Sequence, residues 1–223
     1  MLTGLVASYG KKPIVVSILL LTALNTQRSS AQHIYVEQGK NTSNFKYINP
    51  KGESLDHLLY TSNDYMAIGI KTNLLQKSIN LSFGLNYTGY GALGNDLAGN
   101  LMEWGVFYSG LDLGIDLKLS KIGKGVLYTK GNVSWSRILH GYQLLNNQIV
   151  DLKRQPDFSH SLVFPSYGFG LNHPINNNLS LYIQYMRGKS LTLLEKIPYT
   201  SDKQELRIVS ESIGFGLMVD ISN

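Results

Sequence analysis

The stretch Ser78-Ile79-Asn80-Leu81-Ser82-Phe83-Gly84-Leu85-Asn86-Tyr87-Thr88-Gly89-Tyr90 decides the fold. From Ile79 to Tyr87 every second side chain is apolar, and the side chains between them are Asn, Ser and Gly. Successive residues of a strand point to opposite faces, so this is a strand with one greasy side. The other side is the informative one. The water face of a soluble sandwich is usually rich in Lys and Glu, whereas small hydrogen-bonding groups suit a crowded interior.

The same alternation recurs along the chain. Phe107, Leu111, Leu113, Ile115, Leu117 and Leu119 oppose Asp112, Gly114, Asp116 and Lys118. Leu127, Val133 and Trp135 oppose Tyr128, Lys130, Asn132 and Ser134. Tyr167, Phe169 and Leu171 alternate with glycines, and Leu179, Leu181, Ile183 and Tyr185 oppose Ser180, Tyr182 and Gln184. Ile213, Phe215, Leu217, Val219 and Ile221 close the series, and Met66, Ile68, Ile70 and Leu74 open it. With their polar partners these runs give strands of about 9–11 residues, the length that crosses a bilayer at a tilt. A Lys or Arg facing lipid near the midplane would cost about 2–4 kcal/mol, and the apolar stripes contain none. Their polar exceptions are mild: Thr72, Ser109 and Thr129. The expected fold is therefore all-β, a transmembrane barrel with its apolar side chains outward and a filled polar interior. A soluble ligand-binding barrel would put the same apolar faces inside.

Loop lengths set strand number and direction. Short connections at Leu75–Lys77, Lys121–Lys124 and Pro174–Asn177 alternate with longer ones at about Leu93–Met102, Gly141–Asp157 and Lys189–Gln204. Short inner turns and longer external loops are the habit of outer-membrane barrels. Seven strands are visible, and closure calls for an even number, so one more is expected within residues 33–50, from Ile34-Tyr35-Val36 or Phe45-Lys46-Tyr47-Ile48. The result is an eight-stranded antiparallel up-and-down barrel. Tyr87, Tyr90, Trp104, Tyr108, Trp135, Tyr142, Tyr167 and Tyr185 fall toward strand ends, where aromatic rings favour the lipid–water interface.

The first 31 residues read as an address. Lys11-Lys12 precede the apolar run from Pro13 to Leu24, and Ser29-Ser30-Ala31 follow. That order is a secretory signal with cleavage after Ala31, and the run is too short for a membrane-spanning helix. Residues 32–223 then form the barrel domain. Of the 223 residues none is Cys, which excludes disulfides and thiolate metal sites. The net charge of +5 falls to +2 without Lys11, Lys12 and Arg28, leaving no case for nucleic acid.

These patterns resemble a family. The signal ending Ser30-Ala31 before Gln32, the runs Tyr167-Gly168-Phe169-Gly170-Leu171 and Ile213-Gly214-Phe215-Gly216-Leu217, and a final strand at the end of the sequence are similar to small bacterial outer-membrane β-barrels, the porin-T-like and OmpX- or OmpA-like domains. The resemblance implies a cell-envelope protein placed in the outer membrane of a Gram-negative-type cell, in the setting of secretion or envelope assembly. The final Ile221-Ser222-Asn223 departs from the aromatic last residue common in that family.

The candidate residues fall into two groups. Lys71, Asp112, Asp116, Lys118 and Lys130 point inward and form an expected lumen network, with Lys130 placed roughly opposite Gly114 across the turn at Lys121–Lys124. Buried charges need partners, so a salt-bridged plug is expected, and an ion path is the alternative. In the external loops, Lys153, Arg154, Lys189 and Lys196 are positioned for lipopolysaccharide phosphates or an envelope protein partner. A lipid A-modifying enzyme would need a nucleophile and a base facing each other. His160 and Ser161 are sequence neighbours and face apart, and His57, His140 and His173 are scattered. No catalytic residue, cofactor or metal ligand is assigned, and the expected role is a non-enzymatic structural or interaction subunit.

Overall fold

The computed structural model describes residues 32–48, 58–74, 78–95, 101–145, 148–155, 158, 160–193 and 205–221. The expected signal segment, the turn at Leu75–Lys77 and Lys196 lie outside the described residues. The strands are β1 (Gln32–Ile48), β2 (Leu59–Leu74), β3 (Ile79–Asn95), β4 (Leu101–Ile122), β5 (Gly125–Leu145), β6 (Gln148–Asp151), β7 (Leu162–Pro174), β8 (Leu179–Lys189) and β9 (Glu205–Asp220). A single 3-10 turn, Leu152–Arg154, follows β6. The first strand is one continuous element that contains both segments proposed for it.

Pairing closes the sheet. Each strand is antiparallel to its neighbours in the order β4-β3-β2-β1-β9-β8-β7-β5, and β4 also pairs with β5 to complete a ring of eight. β6 adds to the upper end of β5, opposite Tyr142 to Leu145. A path across directly paired residues runs from Asn172 through Tyr182, Gly216, Glu37, Ala67, Asn86, Gly110 and Ser136. It returns to β7 at Leu162, ten residues from its start. Eight strands so staggered tilt by about 35–45° and enclose a space just wide enough for side chains. Leu74, Ile79, Ile122, Gly125, Pro174 and Leu179 share one end of the barrel with Gln32 and Asp220. The opposite strand ends, among them Ile48, Leu59, Asn95, Leu101 and Glu205, share the other.

The faces are sorted as expected for lipid. Leu113 (61% exposed), Ile183 (41%) and Leu217 (48%) look outward, so the soluble alternative with an apolar cavity at this level is excluded. Two of the polar exceptions on this face bond to the next strand: Ser109 Oγ donates to the carbonyl of Asn86 at 2.8 Å and Thr129 Oγ1 to that of Gly168 at 2.8 Å. Their hydroxyls therefore present no unpaired donor to acyl chains. Inside, glycines make room for rings. A Cβ on Gly216 would collide with the Tyr182 ring, and one on Gly214 with the Tyr65 hydroxyl.

Most strands are longer than the expected 9–11 residues because they continue past the lipid belt toward the loop end. There the pattern inverts. Phe45, Tyr90, Ala92, Val106, Tyr108, Phe164, Leu206 and Ile208 point inward and form an apolar core with Leu152, Phe158 and Leu193 from the segments between strands. Tyr90 and Tyr108, expected at the lipid interface, are buried in this core, and Trp104 packs against it. Tyr87, Trp135, Tyr167 and Tyr185 keep the outward positions. The polar interior accordingly occupies the part within the belt, and a hydrophobic plug fills the part above it.

Two substitutions separate these zones. Ile183→Lys, on the lipid face, is expected to destabilise the inserted barrel by about 2–4 kcal/mol. Ile208→Ala, in the plug at 0% exposure, is expected to cost about 2–5 kcal/mol through the cavity it leaves. Denaturant unfolding in lipid vesicles measures both, and only the first depends on insertion into a bilayer.

Candidate functional site

The interior within the belt is organised around three carboxylates. Glu37 on β1 is buried (3% exposed) and accepts three hydrogen bonds. Tyr65 Oη donates to its Oε1 at 2.6 Å, Gln184 Nε2 to Oε1 at 2.7 Å and Tyr182 Oη to Oε2 at 2.8 Å. Tyr128 Oη in turn donates to Gln184 Oε1 at 3.2 Å. Four strands (β2, β5, β8 and β1) are thus tied to one acid, which accepts from three charge-assisted donors.

Lys71 on β2 points inward as expected and pairs with Asp116 on β4 at 2.6 Å, both groups fully withdrawn from solvent. Its ammonium also stands over the rings of Tyr182 at 5.4 Å, Tyr128 at 5.6 Å and Tyr35 at 5.9 Å. A desolvated cation is stabilised by such ring faces as well as by its counterion. Asp112, the third acid, accepts from Asn86 Nδ2 at 2.5 Å, from Asn132 Nδ2 at 3.4 Å and from Ser134 Oγ.

Lys130 is paired across the strands with Asp116, and Gly114 faces Asn132 instead. The expected alignment is displaced by the connection, a two-residue turn with Ile122 opposite Gly125 and Gly123 in the left-handed region at φ +60°. The ladder shift between Lys118 and Ser120 then brings the register back by one residue, to Asp116. Lys130 is buried with its Nζ 5.9 Å from the Tyr35 ring. Lys118 is exposed near the turn end and lines the lower cavity together with Lys71 and Asp116.

The network divides the lumen. A cavity of about 80 Å³ lies above, lined by Glu37, Asp112, Lys130 and Gln184 among others, and one of about 90 Å³ lies below, lined by Lys71, Asn80, Asp116 and Asn172. Between them stands the layer of Lys71, Tyr35, Tyr128 and Tyr182. Neither space approaches the 300–1,000 Å³ of a small-molecule pocket.

Residues with chemical potential elsewhere are dispersed. His140 stacks on Phe107 on the outer wall, ring centroids 4.4 Å apart. His160 is exposed just before β7, and His173 is exposed at its far end. Among the described residues no group of three His, Asp or Glu side chains is arranged to hold a metal. Of the loop cations, Lys153 is exposed in the 3-10 turn and Lys189 is exposed on β8. The side chain of Arg154, like Lys196, is outside the described residues.

Glu37, the acid with most partners, was absent from the sequence expectation. Its strand carries Gln38, Lys40, Thr42 and Asn44 outward and Asn41 and Ser43 inward, so both faces are polar and the alternation fades. The usable signal was Tyr35 and Glu37 set between Ile34 and Val36.

No protein-family model matches the chain, and no characterised protein matches it in sequence. Solved structures do. The outer-membrane protease OmpT from Escherichia coli is 9% identical with a TM-score of 0.50, over 88% of this chain and 99% of that one. Neisserial surface protein A is 12% identical with a TM-score of 0.45, over 84% and 97%. OprG from Pseudomonas aeruginosa is 10% identical with a TM-score of 0.44, over 85% and 96%. At these identities the likeness is one of fold: this chain has the architecture of the small outer-membrane β-barrels.

Removing one member of the central pair exposes its cost. Lys71→Met leaves Asp116 buried without a counterion and is expected to destabilise the barrel by about 3–5 kcal/mol, whereas Lys71→Met combined with Asp116→Leu recovers most of that loss. The heating temperature at which gel migration shifts from the folded to the unfolded position, read for each variant, checks both.

Proposed function

We propose that this protein is a non-enzymatic, non-conducting integral barrel of an outer membrane, serving as a structural or interaction subunit of the cell envelope. In this reading the short turns face the periplasm and the longer loops face outward. The observation that carries it is the filled lumen. The Lys71–Asp116 pair with its tyrosines, the Glu37 hub and the apolar plug at the loop end succeed one another along the axis. A lumen so occupied leaves the outer wall and the loops as the surfaces for partners, either outer-membrane lipid or an envelope protein. Secretion or envelope assembly is the setting that the family resemblance supplies.

Purified protein in planar bilayers is expected to show no steady open channels, and steady openings by the wild-type chain would overturn the reading. Truncating the plug and the hub together, with Ile208→Ala and Glu37→Ala, is expected to raise leak current. For the enzymatic alternative the comparison is chemical. Overexpressed wild-type protein and His160→Ala are expected to leave identical lipid A profiles by mass spectrometry, both matching cells without the protein.

A further inference from the structure

The cations of the outer wall just above the lipid belt fall into two sets. Three are matched by acids: Lys40 to Asp64 at 2.6 Å, Arg207 to Glu205 at 3.0 Å and Arg187 to Glu211 at 3.5 Å. Lys46 on β1, Arg137 on β5 and Lys189 on β8 are exposed and have no acid within ion-pair distance among the described residues. Lys46 stands apart beside Arg207, whereas Arg137 and Lys189 flank the upper end of β7. The pairs Ser136–Leu162 and Ser166–Gly188 set Arg137 and Lys189 level with positions 161 and 165 of that intervening strand. Two strand spacings across and four residues along correspond to about 16 Å between their backbones.

What lies below this pair is equally particular. Trp135 (52% exposed) is paired with Val163, and Tyr167 (67% exposed) with Arg187. Large rings on the outer wall, with Phe169 and Val133 beneath them, mark the height where acyl chains give way to headgroups. Arg137 and Lys189 therefore project at the level of the headgroups.

We propose that the β5–β7–β8 face seats the headgroup of an anionic outer-leaflet glycolipid that carries two separated phosphates. The inference rests on the reading of the chain as an outer-membrane barrel with its loop end outward. Charge and spacing select the occupant. A guanidinium and an ammonium without local acids favour phosphate oxygens. A single phosphate would have to draw both side chains to full stretch toward each other across β7, whereas two phosphates meet each cation where it projects from the wall. A sugar headgroup phosphorylated at both ends supplies them, while its acyl chains lie along Trp135, Val133 and Phe169. A second copy of the chain would bring the same cations against these and be repelled.

Native mass spectrometry of the purified chain, titrated with bisphosphorylated and with monophosphorylated lipid A, tests the seat. The wild-type protein is expected to favour the bisphosphorylated lipid by about tenfold. Arg137→Gln and Lys189→Gln are each expected to reduce that preference to within about twofold, and Arg137→Lys to keep most of it. Lys40→Gln, which removes an ammonium already matched by Asp64, is expected to leave it unchanged. Equal affinity of the wild type for both lipids overturns the proposal, as does a preference that survives the double variant or falls equally in Lys40→Gln. Heat-dependent gel migration of every sample keeps the two levels apart. A wild-type chain that never shows the folded band undoes the barrel reading itself, whereas a folded barrel without the preference undoes only the seat.

Discussion

In a hydrocarbon layer no water is available to satisfy a peptide group, so a sheet can cross only if it has no edge. The pairing of β1 with β9 along nearly their full lengths is what meets that condition here. It joins the first and last strands of the ring, and it fixes the stagger. The stagger of ten residues over eight strands then fixes the bore. A bore of that size has room for side chains and little else, so everything that points inward has to find its partners among the other inward groups.

That requirement explains the chemistry of the middle zone. A carboxylate in such a space needs donors or a counterion to offset its lost hydration. Glu37 has two tyrosines and a glutamine on its two oxygens, and Asp112 gathers two asparagines and a serine on Oδ1. Asp116 holds Lys71 at Oδ2, while its buried Oδ1 has no hydrogen-bond partner among the described residues. The donors come from β2, β3, β5 and β8, so the network works as a set of struts between walls that the backbone ladder joins only to their immediate neighbours. Glycine is the complement of these struts. Where Tyr182 and Tyr65 lie flat against the wall, Gly216 and Gly214 are the residues beneath them.

The inversion of faces along each strand shows what was legible in the sequence and what was not. Within the belt the apolar parity is constant, as in Ile213, Phe215, Leu217 and Val219, and there the alternation gave strands, faces and strand count. Toward the loop end the parity switches. On β9 the inward apolar residues are Leu206 and Ile208, and on β3 the outward Phe83 and Leu85 give way to inward Tyr90 and Ala92. A change of phase reads in sequence as the end of a strand, although the backbone continues without a break. That is why the segments near Leu93 and Gly141 were expected to be loop, and why Tyr90 and Tyr108 were assigned to the interface. The lumen acids on β4 were visible because that strand lies wholly within one phase at Asp112 and Asp116. Glu37 was hidden because its strand is polar on both faces above Val36. The partner of Lys130 turned on a two-residue turn and one irregular ladder step, and neither leaves a mark in the alternation.

The same inversion locates the membrane without reference to any lipid. The outward apolar stripe ends on β8 at Tyr185 below Arg187, on β9 at Ile213 below Glu211, and on β5 at Trp135 below Arg137. Inside, the polar struts end and the apolar plug begins near these levels, with Phe164, Tyr108 and Ile208. Two independent patterns, one facing out and one facing in, therefore change sign together. Below that level the surroundings are hydrocarbon, so the wall is greasy and the centre supplies the hydrogen bonds. Above it the surroundings are water, and burial of Phe45, Leu152, Phe158 and Leu193 holds the strands together as in a soluble protein. The barrel is thus two folds built on one continuous ladder. Its stability on the loop side comes from the plug, and the belt side depends on the struts.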